Sequence, residues 1–174
     1  MTGVKIDGKV IARKILENLK KLPKPQKQLA ALLIGGDPAS ISFLKQKEKI
    51  SKELAIEFKL YKLPESISEN DAVQEVKKLN RDEKTGGIII QLPLPEKFNR
   101  ENVINALDPA KDIDALLPQS KVSPLAVEVT KDILAEMHYD VKDKIVGVVG
   151  RGLLIGRPIA EWLSGKCREV IIFH

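Results

Sequence analysis

Apolar residues along this chain fall by turns at helical spacing and in short strand-like runs, and that alternation predicts a parallel α/β fold. Val10, Ile11, Ile15, Leu16 and Leu19 share one face of a helix over 9–22, which Pro23 ends. Residues 29–34 form a nearly continuous apolar run, as in a parallel strand covered on both faces, and Gly35-Gly36-Asp37-Pro38 is its turn. A long helix over 39–54 follows, then an alternating strand over 56–63. Ser68-Glu69-Asn70-Asp71 reads as a capping box opening a helix to Leu79. The pattern continues with a strand over 87–91, a short helix over 99–107, an irregular stretch over 108–123 and a helix over 124–137 with Pro124 at its start. A strand over 144–149, a helix over 158–164 and a strand over 170–173 complete it. A division falls near 120–123, giving domains over 1–122 and 123–174.

Composition narrows the classes. The 174 residues are 43% hydrophobic, enough to bury a core. The net charge of +5 is spread over several predicted helices and interleaved with acids, and aromatics make up only 4%. That is a solvated surface without the stacking platforms of a nucleic-acid binder. Cys167 has no second cysteine to pair with, which fits a reducing compartment. No apolar stretch is long enough to span a bilayer, and residues 1–7 lack the apolar core of a leader. A cytoplasmic protein is expected.

Four places carry candidate chemistry. In the 39–54 helix, Phe43, Lys47, Ile50 and Leu54 fall on one face, whereas Lys45, Lys49 and Lys52 lie elsewhere. Lys47 is the odd member of an apolar stripe: either its ammonium is poorly hydrated there and able to move a proton at neutral pH, or its stem packs and its head snorkels to water. Gln91 ends an apolar strand before Pro93 and Pro95, which force a rigid exit. An amide at the carboxyl end of a parallel strand is either a ligand contact or a plain strand exit. Asp112-Ile113-Asp114 holds too few carboxylates for a hard metal, and the only histidines are His138 and His174. One carboxylate there can instead accept paired hydrogen bonds from a heterocycle. Finally, Gly150-Arg151-Gly152, with Gly156 and Pro158, lies between a strand and a helix, where unpaired backbone N–H groups favour a phosphate. The alternative is a tight turn with glycines for packing.

Taken in order, Gly36-Asp37-Pro38-Ala39-Ser40 with Lys47, Gln91-Leu92-Pro93-Leu94-Pro95, Lys111-Asp112-Ile113-Asp114 and the glycine turn resemble the bifunctional methylenetetrahydrofolate dehydrogenase/methenyltetrahydrofolate cyclohydrolase family. The resemblance implies a parallel-sheet folate-binding catalytic domain over 1–122 and a partial Rossmann-like nucleotide-binding domain over 123–174. It implies NADP, or NAD, as cofactor, tetrahydrofolate as the substrate's carrier, no metal, and a homodimer. Lys47 would be the catalytic lysine, Gln91 its hydrogen-bonding companion, Asp114 the pterin anchor and Phe43 the stacking ring. Gly150, Arg151, Gly152 and Gly156 would hold the cofactor.

Several positions depart from the family pattern. Phe43 stands where a tyrosine is usual, so stacking survives and the hydroxyl is lost. Ala115 replaces a glycine and Gly152 a serine, and the stretch before Ser123-Pro124 is shorter than the family's connecting loop. After residues 144–174 the family's further strands do not appear, so this chain is read as a fragment or a reduced homologue, with weak NADP binding and hydride transfer expected of it as it stands. Two other readings remain: a noncatalytic or cyclohydrolase-only folate-binding remnant, and an oxidoreductase of similar plan for another small acid, which the proline run disfavours.

Overall fold

The computed structural model describes residues 5–174; the first four, part of the stretch read above for a leader, lie outside the described residues. The elements in chain order are α1 (Gly8–Leu19), β1 (Gln28–Ile34), α2 (Pro38–Glu53), β2 (Phe58–Leu63), α3 (Glu69–Arg81), β3 (Thr85–Ile90), α4 (Arg100–Ile104), α5 (Leu125–Glu136), β4 (Ile145–Val149), α6 (Gly156–Leu163) and β5 (Glu169–Phe173). Packing groups them into two compact units, one of residues 13–122 and one of residues 123–174 with the described residues up to Ala12.

In the larger unit β1 is the middle strand of a parallel sheet ordered β2-β1-β3. Its apolar run is continuous because both faces are covered. Ala30, Leu32 and Ile34 join Ile88 and Ile90 of β3 against Ala72, Val76 and Leu79 of α3 and Val103 and Ile104 of α4. Ala31 and Leu33, pointing the other way, meet Ile89 and Leu44 of α2. β2, at the edge, departs from the expected alternation: Phe58, Tyr61 and Leu63 are half-buried, whereas Leu60, which alternation would turn inward with Phe58, is exposed. Half of the capping box expected at α3 forms: Ser68 Oγ accepts from the Asp71 N–H at 3.1 Å, and the Asp71 carboxylate meets the Ser68 hydroxyl, which donates to Oδ2 at 2.6 Å. In the second unit β4 and β5 pair in parallel, and Val148, Ala160 and Leu163 bury the face beneath α6.

Two helical stripes differ from expectation. The apolar face of α1 exists, but none of its residues is buried, and Val10, Ile15 and Leu19 are exposed. On α2, Phe43 and Ile50 of the expected apolar stripe are exposed. The face turned to the sheet is Ser40, Leu44 and Ser51. Positions 40, 44, 47 and 51 and positions 43, 47, 50 and 54 are neighbouring rows of one helix, and Lys47 belongs to both. The buried row contains two serines, which hydropathy does not mark as interior.

Candidate active site

The start of α2 sets where its side chains point. Asp37 caps the helix, its Oδ2 accepting from the Ser40 N–H at 2.7 Å, and Pro38 supplies the first-turn φ without needing a partner for an N–H. The Ser40 N–H, aided by the Ser40 hydroxyl, holds the Asp37 carboxyl below its ordinary range. With Ser40 and Leu44 buried, Lys47 comes to the margin of the sheet-facing side. Phe43, 59% exposed, stands one turn earlier beside it.

Lys47 Nζ meets Asp114 Oδ2 at 3.3 Å, the two side chains being 35% and 28% exposed. A pair this open contributes at most about 1 kcal/mol, so it does not by itself hold the loop that carries Asp114. The hold comes from the preceding residues. Lys111 Nζ donates to three carbonyls at the end of α3, those of Leu79 at 3.2 Å, Asn80 at 2.6 Å and Asp82 at 2.8 Å. The Lys111 carbonyl accepts from the Ile88 N–H at 2.8 Å, which ties the segment to β3. Asp112 is buried, and both of its carboxylate oxygens accept backbone N–H groups, from Leu116 at 3.1 Å and Leu117 at 2.8 Å. Ala115, which takes the place of the family's glycine, has φ 51°, in the left-handed region.

Gln91 lies where β3 ends, its N–H still bonded to the Leu32 carbonyl at 2.9 Å. Its side-chain amide does not join Lys47; it donates to the Leu92 carbonyl at 2.7 Å, toward which Ser40 Oγ also reaches at 3.5 Å. The amide nitrogen is therefore engaged at the head of the proline exit. The hydropathy pattern pointed to neither Ser40 nor the structural use of Asp112. Their sequence signals were their places in the motifs over 36–40 and 111–114.

In the other unit, half-buried Gly150 (φ 84°) and exposed Arg151 and Gly152 form a turn from β4 toward α6. Gly156 is required by close approach: a Cβ there would run into the Gly150 carbonyl. Gly150 and Gly152, by contrast, have open space where a side chain would stand. The turn is held by the Gly152 carbonyl, which accepts from the Arg157 N–H at 3.1 Å. Open backbone at the start of a helix with an exposed guanidinium beside it has the chemistry of a phosphate site. Among the described residues no group of three or more His, Cys, Asp and Glu side chains is placed to hold a metal, and no helix is long and apolar enough to cross a membrane.

Known proteins share this chain's sequence and fold. The family model described as the catalytic domain of tetrahydrofolate dehydrogenase/cyclohydrolase matches residues 6–114. The bifunctional protein FolD of Clostridium beijerinckii is 32% identical over 188 residues, covering 99% of this chain and 67% of its own length. The crystal structure of FolD, a methylenetetrahydrofolate dehydrogenase/cyclohydrolase, from Campylobacter jejuni superposes with a TM-score of 0.89 at 28% identity, covering 97% of this chain and 65% of that one. The FolD of Trypanosoma brucei, solved with NADP cofactor and an inhibitor, shares the fold with a TM-score of 0.92 at 24% identity, covering 100% of this chain and 65% of that one. This chain thus spans about two thirds of the length of the relatives it matches. On the family match and the curated likeness together, it belongs to the tetrahydrofolate dehydrogenase/cyclohydrolase family.

Proposed function

We propose that this chain acts in tetrahydrofolate one-carbon interconversion, in the oxidation of methylene-tetrahydrofolate to the methenyl form with NADP and in the hydrolysis of the methenyl form to formyl-tetrahydrofolate. The observation that carries the reading is the Lys47–Asp114 pair, 3.3 Å apart, with the exposed Phe43 ring one helical turn away. A pterin presents adjacent N–H and amino donors, and a carboxylate has acceptor sites enough to bind both and keep its lysine contact. Phe43 offers a face on which a flat ring stacks.

In hydrolysis, water adds to the cationic methenyl carbon, and the bond from that carbon to one folate nitrogen then breaks. Lys47, acting as the neutral amine, takes a proton from the attacking water and returns it to the departing nitrogen, and the proton of the added hydroxyl leaves to solvent as the formyl carbonyl forms. Gln91, with one amide N–H committed to Leu92, keeps its side-chain oxygen and a second N–H with which to orient Lys47 or substrate. NADP, when bound, supplies the acceptor for the hydride. Gly150, Arg151, Gly152 and Gly156 would hold its phosphates. The family reading carries with it a folate domain over 1–122, a nucleotide-binding domain over 123–174, and a homodimer in the cytoplasm.

A second reading, folate binding with little hydrolysis, is favoured by Phe43, which has no hydroxyl to share in proton movement. Calorimetry with tetrahydrofolate and a methenyl-tetrahydrofolate hydrolysis assay separate the two. Binding with turnover supports the first, binding alone the second, and absence of binding removes both. Asp114→Ala should weaken binding by about 1–3 kcal/mol, the cost of leaving the pterin donors unpaired. Unchanged affinity would remove the anchor role.

A further inference from the structure

Asp114 reaches Lys47 from a short turn, and the geometry of that turn is set elsewhere. Asp112, two residues earlier, is only 2% exposed, and both of its carboxylate oxygens are taken by the N–H groups of Leu116 and Leu117. Its carbonyl accepts from Ser120 Oγ at 2.8 Å, and it forms an isolated parallel bridge with Ile88 of β3. The carboxylate thus ties the front of the turn to its back, across Ile113, Asp114 and Ala115. Ile113 is fixed in turn by Gly87: a Cβ at position 87 would come within 2.7 Å of Ile113 Cγ2, so the segment lies against bare strand backbone. With Ile113 pressed onto β3 and Asp112 closed on Leu116 and Leu117, the chain between them holds Asp114 toward α2. A buried carboxylate accepting two N–H groups is a stronger constraint than an ion pair open to water.

We propose that Asp112 is a positioning residue of the candidate site: by closing the 112–117 turn with both carboxylate oxygens it sets where Asp114 meets Lys47, and through that the affinity for folate. The part concerning affinity rests on the folate reading above; the part concerning the Lys47–Asp114 contact does not. Asp112→Asn keeps the side chain's size but turns one acceptor into a donor facing a backbone N–H, so the turn loses one of its two closures.

The test has two arms on the whole chain. The first follows the Lys47 Cε resonance by NMR, using Asp114→Ala to mark its position when the carboxylate is gone. Asp112→Asn should move the resonance toward that marked position, and a resonance left at its parental position overturns the proposal. The second arm measures tetrahydrofolate affinity in a double-mutant cycle. Asp112→Asn should weaken binding about tenfold in the parent and hardly at all in Asp114→Ala, since it acts through Asp114. Losses that add would overturn the proposal, because a general loosening of the fold weakens both backgrounds alike. If the parent binds no tetrahydrofolate, the folate reading falls and the resonance arm alone decides. Should Asp112→Asn not fold, Ser120→Ala, which frees the Asp112 carbonyl and the exposed Val122 N–H, should shift the Lys47 resonance in the same direction; an unmoved signal would count against Asp112.

Discussion

Phe43 and Lys47 sit one turn apart on α2, so the aromatic ring that would stack on substrate and the amine that would move its proton face the same solution. Restoring a hydroxyl at that ring is a one-atom change at an exposed position, with no core to disturb. Phe43→Tyr is expected to raise methenyl-tetrahydrofolate hydrolysis by about 10–100-fold, within the range that a positioned acid–base group contributes. Lys47→Met, which keeps much of the stem's packing and carries no proton, should remove that gain. Equal hydrolysis by parent and a folded Lys47→Met protein would return Lys47 to a lysine whose stem merely packs. At this scale the sequence marked Lys47 by setting a charge into an apolar row. The row was the wrong one: the buried row is Ser40, Leu44 and Ser51, and Lys47 stood out only because it lies on both. Asp112 was less legible, because a buried aspartate closing a turn and a half-buried one meeting a lysine are the same letter two positions apart.

Helices and strands read more easily than single side chains, since each is specified by many residues at once. The strand at β1 was legible as a nearly continuous apolar run, and α3 as a capping box opening a helix to Leu79, whose buried face proved to be Ala72, Val76 and Leu79. The way α2 ends left no such trace. Ala55 adopts φ 55°, with its N–H bonded to the Lys52 carbonyl at 3.1 Å and that of Ile56 to the Ser51 carbonyl at 2.8 Å, a closure usually signalled by glycine. The beginning of α2 is testable through pH. Its Asp37 cap has a carboxyl held below the ordinary value of 3.8 by the Ser40 N–H, so the folded state favours the charged form. The resulting stabilisation is complete above 3.8 and is lost as pH falls through the lower folded value. Asp37→Asn keeps an acceptor for the cap but does not titrate. Denaturation midpoints should therefore place the parent above the variant at neutral pH, with the gap closing only below about pH 3.8. A gap that stays constant through that range would show that the charge on Asp37 adds nothing to the cap.

Across the whole molecule, the groups proposed to act on folate and those proposed to hold the nucleotide fall in different packing units. Phe43, Lys47, Gln91, Asp112 and Asp114 belong to residues 13–122, and the Gly150–Gly156 turn belongs with residues 123–174. Each has its own parallel sheet and its own buried cluster, the larger built on β1 and the smaller on the face of β4 and β5 beneath α6. A change confined to one unit should then leave the chemistry of the other in place. Gly156→Ala is the sharpest probe, because the added Cβ meets the Gly150 carbonyl and the turn must shift to admit it. Amide exchange in β4 and β5 should quicken and NADP affinity should fall. Exchange in β1 and β3, tetrahydrofolate affinity and methenyl hydrolysis should stay within about twofold of the parent, as expected for an opening confined to the turn and its own strands. Asp114→Ala should do the converse, weakening folate binding while β4 and β5 keep their protection. If Gly156→Ala also lowered folate affinity severalfold, the two units would have to be treated as one energetic whole, and the separate assignment of folate and nucleotide chemistry to them would fail.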